Sequence, residues 1–106
     1  MLVASIVCRV RPAKQREFLA AIDRLLTQTR KRRGCLDCRL VADPADPANL
    51  TLIFEWTDRD SHEGFISSEE YGVLRGMRFL MTGVPVAVVD EVIARERQAP
   101  PAGWES

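Results

Sequence analysis

Two segments of this 106-residue chain, 2–10 and 84–94, alternate like β-strands yet are apolar on both of the faces that alternation defines. In the first, Leu2, Ala4, Ile6, Cys8 and Val10 oppose Val3, Ser5, Val7 and Arg9. In the second, Val89 and Ile93 oppose Val86, Val88 and Val92. An antiparallel sheet with helices on one side and water on the other carries polar residues on its wet face. A sheet built from these two strands must therefore be covered twice. Helices of the same chain supply one cover. A second copy of the chain is the simplest source of the other, because two-fold symmetry is the commonest assembly, so a homodimer is expected.

The segments between them complete a familiar order. Phe18, Leu19, Ile22, Leu25 and Leu26 recur at helical spacing and predict a helix over 13–32, opened by Pro12. Its last turn carries Arg30, Lys31, Arg32 and Arg33, where cations complement the helix dipole, and Gly34 follows as the residue that ends it. Residues 35–41 read as a second strand. Residues 43–49, with Pro44 and Pro47 among Asp43, Asp46 and Asn49, read as an irregular connection. Residues 50–57 form a third strand with Leu50, Leu52, Phe54 and Trp56 on one face. Asp58 or Ser61 caps a short helical turn through Ile66, and Ser68 opens a second helix to about Met81, closed by Gly83. The order β-α-β-β-α-β is the ferredoxin-like α+β arrangement: a four-stranded antiparallel sheet with helices on one face. One domain is expected over 1–95, followed by a polar, Pro/Gly-containing tail over 96–106.

Charge and cysteine usage narrow the partners. Fifteen basic and fifteen acidic residues cancel to a formal net charge of zero, which removes the electrostatic drive toward nucleic acid or anionic membrane. No apolar run approaches the ~20 residues that span a bilayer, and the N-terminus lacks a signal peptide's basic start and cleavage site. Three cysteines, an odd number, fit reduced thiols in a cytoplasm better than a disulfide framework. The Cys35-Leu36-Asp37-Cys38 spacing lies on a predicted strand, where residues three apart face opposite ways, and zinc would need two more ligands. Redox and zinc roles are therefore not expected. Nor is a cofactor: the chain has no haem or flavin ligand set and no Gly-rich phosphate loop.

The residues with chemistry to offer cluster late in the chain. His62, the sole histidine, opens the short helix after Trp56 and titrates in the neutral range. Tyr71, Arg75 and Arg78 recur at i, i+4 and i+7, a hydroxyl and two guanidinium groups on one helix face. Gly72 and Gly76 each cost that helix about 1 kcal/mol relative to alanine, which points to a close approach by a strand, a partner or a ligand. His62, Tyr71 and Arg75 are the candidate catalytic groups, with Leu52, Phe54, Trp56 and Arg78 as candidate substrate-binding residues and no metal ligands.

The motif Gly34-Cys35-Leu36-Asp37-Cys38-Arg39-Leu40, then Asp46-Pro47, then Leu52-Ile53-Phe54-Glu55-Trp56-Thr57-Asp58, then Phe65-Ile66-Ser67-Ser68-Glu69-Glu70-Tyr71 resembles the antibiotic biosynthesis monooxygenase family. The resemblance runs nearly to Ala94. It implies a dimeric α+β barrel and a small, cofactor-independent monooxygenase acting on an electron-rich aromatic or polyketide-like substrate. The same fold also implies two alternatives: non-oxidative binding or isomerisation of a small metabolite, and an interaction protein with a degenerate pocket. Trp56 matches the family tryptophan. Leu52 stands where some quinone-forming members carry asparagine, and Phe65 and Glu70 where members often carry histidine. The haem-degrading branch places its ligands near positions held here by Ile6 and by Leu74 or Arg75, none of which ligates iron as histidine does.

Overall fold

Alternation and helical spacing resolve into four strands and three α-helices in the computed structural model, which describes residues 1–93. The strands are β1 (Leu2–Arg9), β2 (Cys35–Asp43), β3 (Asp46–Trp56) and β4 (Val86–Glu91). The helices are α1 (Gln15–Thr29), α2 (Arg59–Ile66) and α3 (Glu69–Gly76). All strand pairs are antiparallel, in the order β2-β3-β1-β4. The ferredoxin-like arrangement is thus present, and the tail over 96–106 lies outside the described residues. No described helix is long and apolar enough to cross a membrane.

One face of the sheet and the helices share a single core. Leu2, Ala4, Ile6 and Cys8 of β1 and Leu50, Leu52, Phe54 and Trp56 of β3 are buried against Phe18, Ile22, Leu25 and Leu26 of α1, Phe65 of α2 and Leu74 of α3. The helix starts follow the expected chemistry. Asp58 accepts the Ser61 N–H at 2.8 Å to cap α2, and Ser68 Oγ accepts the Tyr71 N–H at 3.2 Å to cap α3.

Several boundaries differ from the sequence reading. The 13–32 helix divides into a 3₁₀ turn at Pro12–Lys14 and α1, and the helix expected to reach Met81 gives way after Gly76 to a 3₁₀ turn at Met77–Leu80. The connection over 43–49 is a tight hairpin instead. Pro44 and Ala45 form the turn, Asp43 pairs with Asp46, and Asp43 Oδ1 accepts the Ala45 N–H at 2.9 Å. Pro47 is tolerated because it lies beyond the end of the β1–β3 ladder at Arg9 and Asn49, where no donor is required of it. Gly34, at φ +86°, lies past the end of α1, at the entry to β2. A Cβ there would meet Ser61 Oγ at 2.0 Å, so both conformation and space require glycine. Apart from the adjoining residues and the helix's own backbone, no described atom lies within 4 Å of a Cβ built on Gly72 or Gly76, so the close approach expected there is not made by the described chain.

Two corrections concern side-chain direction. Val89 pairs with Ala4 and therefore shares the helix side of the sheet, while Val86 and Val88 pair with Val7 and Ser5 on the far face. In β2 a bulge shifts register: Cys35 pairs with Trp56 and Asp37 with Glu55, leaving Leu36 as the extra residue, and Cys38 then pairs with Phe54. Both cysteines consequently fall on the helix side, not on opposite faces.

Candidate functional site

The helix layer does not reach across the whole sheet. Every residue of β4 is exposed, although β1 beside it is buried on its helix side. Where the layer stops, between α3 and the β1–β4 edge, lies a cavity of about 180 Å³ with Ile6, Leu74, Met81 and Pro85 as apolar walls. Tyr71, Arg75 and Arg78 line the same cavity, so the three residues spaced along one helix face converge here. Arg78 donates to the Met81 carbonyl at 3.3 Å, which holds its guanidinium against the wall. Glu70 is occupied elsewhere, paired with Arg32 at 3.2 Å, and among the described residues Arg75 has no ion-pair partner.

A second, narrower cavity of about 60 Å³ adjoins the first. The two share Ile6 and Tyr71 in their walls, and the second adds Phe54, Phe65 and His62. His62 also borders an open groove beside Leu2, Ile66 and Val89. Its Nδ1 is buried and without a hydrogen-bond partner among the described residues, and so is Trp56 Nε1. The two rings lie 6.4 Å apart, centroid to centroid. Burial pushes the imidazole below its ordinary value of 6.5, outweighing the upward pull of the Glu63 carboxylate, and the Arg59 charge adds a smaller downward push. His62 is therefore neutral at pH 7, with a nitrogen able to accept a proton.

Phe65 organises this region. Its ring packs tilted against Phe54 at 4.9 Å and Trp56 at 5.2 Å, and edge-on to Tyr71 at 5.5 Å, centroid to centroid. Rotation of any one of these rings would disturb the others, so the aromatic cluster fixes where Tyr71 and His62 stand. Leu52 and Trp56 are both 0% exposed and border neither cavity; they pack in the core behind it. Phe54 does reach the narrow cavity. The sequence reading did not single out Ile6, Leu74, Met81 and Pro85 as walls. The available signal was the alternation of β1, which puts Ile6 on the helix side, and the i, i+3 relation of Tyr71 and Leu74.

Whether this cavity suits haem is answered by its walls. Ile6 and Leu74 present hydrocarbon and Arg75 a cation where an iron ligand would be needed, so the residues do not fit that group. Among the described residues no three His, Cys, Asp or Glu side chains gather in a way that would hold a metal ion.

Comparison with known proteins agrees with the fold. No curated protein sequence matches this chain significantly. Its fold matches the crystal structure of an antibiotic biosynthesis monooxygenase with a TM-score of 0.81 at 21% identity, covering 89% of this chain and 100% of the other. A Mycobacterium tuberculosis protein matches at 0.80 and 23% identity, covering 90% and 98%. A conserved protein from Methanosarcina mazei matches at 0.80 and 22%, covering 84% and 89%. The sequence profile described as antibiotic biosynthesis monooxygenase matches residues 1–75, through α3 as far as Arg75. The chain belongs to the antibiotic biosynthesis monooxygenase family.

Proposed function

We propose that this protein is a cofactor-independent monooxygenase that oxidises a small electron-rich phenol, of the aromatic or polyketide-like class, with dioxygen, and that it works as a homodimer. The observation that carries the reading is the shared wall of Ile6 and Tyr71, which joins a cationic end at Arg75 and Arg78 to an imidazole end at His62. An aromatic ring lying along that wall would meet a base at one end and positive charge at the other.

The chemistry follows from that polarity. His62 Nδ1 takes the proton of a phenolic hydroxyl. The anion delocalises across the ring toward a second oxygen held by Arg75 or Arg78, whose positive charge stabilises it. An ionised ring carbon of this kind donates an electron to dioxygen, and recombination forms a carbon–oxygen bond to a peroxide. Tyr71 supplies a proton to the distal oxygen. The Tyr71 phenolate then takes the hydrogen of the peroxide-bearing carbon as a proton, the O–O bond breaks, hydroxide leaves and takes the proton held by His62 to become water, and the other oxygen remains as a quinone carbonyl. The substrate furnishes all the electrons. The apolar walls limit water, which would otherwise solvate the anion and compete for the proton.

The homodimer rests on the far face of the sheet. Val3, Val7, Val86 and Val88 form an apolar strip there, with Val86 at 61% and Val88 at 47% exposure in the single chain. Closing two such faces on each other buries both.

Oxygen uptake with naphthalenediols is the test. Uptake should require dioxygen and yield one quinone per dioxygen, with one oxygen atom of labelled dioxygen in the quinone and the other in water; hydrogen peroxide with no label in the quinone would contradict oxygen insertion. His62→Ala should remove the acid limb of the pH profile. That limb should lie below pH 6.5, because lowering the pH through the depressed imidazole value protonates the base. Ligand conversion that proceeds equally under nitrogen would replace this reading with isomerisation.

A further inference from the structure

The C-x-x-C segment lies outside this cavity and has a geometry of its own. The Leu36 bulge turns Cys35 and Cys38 to the same side of β2, beside Trp56 and Phe54 of the neighbouring strand. Across the bulge they stand opposite partners only two residues apart, so the two side chains are neighbours on that face. Cys38 is 0% exposed and its Sγ also donates to the Leu26 carbonyl at 3.5 Å, while Cys35 is only half-buried. β2 is an outer strand of the sheet, so no further strand shields Cys35. Arg30 donates to the Cys38 carbonyl at 3.1 Å, and its positive charge favours the ionised form of both thiols. An accessible thiol next to a buried one, with a guanidinium near both, is the layout of an attacking and a resolving cysteine.

We propose that Cys35 and Cys38 form a reversible intrachain disulfide by exchange with a low-molecular-weight disulfide. The Cys35 thiolate attacks one sulfur of the small disulfide. The old S–S bond breaks and one small thiolate departs, leaving Cys35 in a mixed disulfide. The departing thiolate takes a proton, ultimately that of Cys38. The Cys38 thiolate then attacks Cys35 Sγ, and the second small thiolate leaves and is protonated in turn. Two protein thiols are oxidised and one small disulfide is reduced to two thiols. Burial raises both thiols, Cys38 to about 11, against the favourable Arg30 charge. The exchange is therefore slow at neutral pH and accelerates as pH rises. Such reactivity suits a transient redox mark more than a permanent staple.

The test uses the reduced full-length chain incubated with oxidised glutathione at pH 8, followed by alkylation under denaturing conditions and tryptic mass mapping. Residues 34–39 lie between Arg33 and Arg39 and hold both cysteines in one peptide. The expected product is that peptide two hydrogens lighter and unalkylated, while buried Cys8 stays fully alkylated. Cys38→Ser should arrest the reaction as a glutathione adduct on Cys35, and Cys35→Ser should leave Cys38 alkylated, both with unchanged circular dichroism. A wild-type chain that accumulates a stable glutathione adduct on Cys35, or that keeps both thiols alkylatable, would overturn the proposal.

Discussion

Strands β1 and β4 are hydrogen-bonded neighbours with similar valine-rich sequences, yet they meet opposite fates. On its helix side β1 is core, with Leu2, Ala4, Ile6 and Cys8 all under 9% exposed, whereas no residue of β4 is buried. Composition does not explain this; coverage does. Three helices of 15, 8 and 8 residues cover β1 and β3 and stop at β4. The cavity lined by Ile6, Tyr71 and Pro85 is the gap this shortfall leaves. A layer wide enough to bury β4 would have filled it. The far face shows a parallel contrast. Around β2 and β3 it is ionic, with Arg39 bridging Asp37 and, at 2.9 Å, Glu55, and with Arg9 on Asp46 at 2.6 Å. At Val3 and Val7 of β1 and Val86 and Val88 of β4 it is apolar. The strands that look interchangeable in sequence are thus one scaffold and one exposed surface.

The sharpest way to break this contrast is to truncate the covered side. Phe65→Ala removes the ring on which Phe54, Trp56 and Tyr71 converge and should cost about 3–5 kcal/mol in denaturant unfolding. A loss under 1 kcal/mol would mean the aromatic cluster is not packed as described. On the exposed side, Val88→Glu should leave the protomer folded but weaken self-association roughly 100-fold, or about 2.7 kcal/mol, because a carboxylate would be buried unpaired. Sedimentation showing an unchanged dimer would place the interface elsewhere.

A smaller effect tests the covered side by pH. Burial pushes the Cys8 and Cys38 thiols up to about 11 from an ordinary 9.0. The folded chain then holds protons that the unfolded chain has released, so stability is full below pH 9 and falls as pH rises toward 11. The loss should be on the order of 2 kcal/mol per thiol, and Cys8→Ala should abolish its share of the slope. The smallest expected effect is at the gap itself. Arg75→Ala should leave thermal unfolding within a few degrees of wild type while weakening binding of a naphtholate about tenfold, near 1.4 kcal/mol, with the difference shrinking at high salt.

Much of the frame was legible in the residues. Alternation marked the strands, the spacing of Phe18, Ile22, Leu25 and Leu26 marked α1, and Asp58 and Ser68 marked the helix starts. What escaped was set by register rather than by local preference. Nothing in Cys-Leu-Asp-Cys marks Leu36 as a bulge, since no glycine or proline punctuates it, yet that one residue decides which way Cys38 faces. Val89 shows the same limit: alternation separates it from Val86 and Val88, but alternation within a strand gives two faces and not which one the helices take. At the site, helical spacing brought Tyr71, Arg75 and Arg78 together, although the helix tightens to 3₁₀ before Arg78. Leu52 and Trp56 shared a face with Phe54, but only depth under the helices separates core from cavity wall, and sequence carries no depth.

If the protein works as proposed, the gap between α3 and the β1–β4 edge receives a small aromatic ring. Chemical-shift mapping with 1,4-dihydroxynaphthalene, under argon to prevent turnover, tests it directly. Saturable shifts are expected, centred on Ile6, Tyr71, Leu74 and Met81 and extending to His62. Shifts confined to the open groove beside Lys31, Arg32 and Arg33, or no saturable shifts at all, would contradict it.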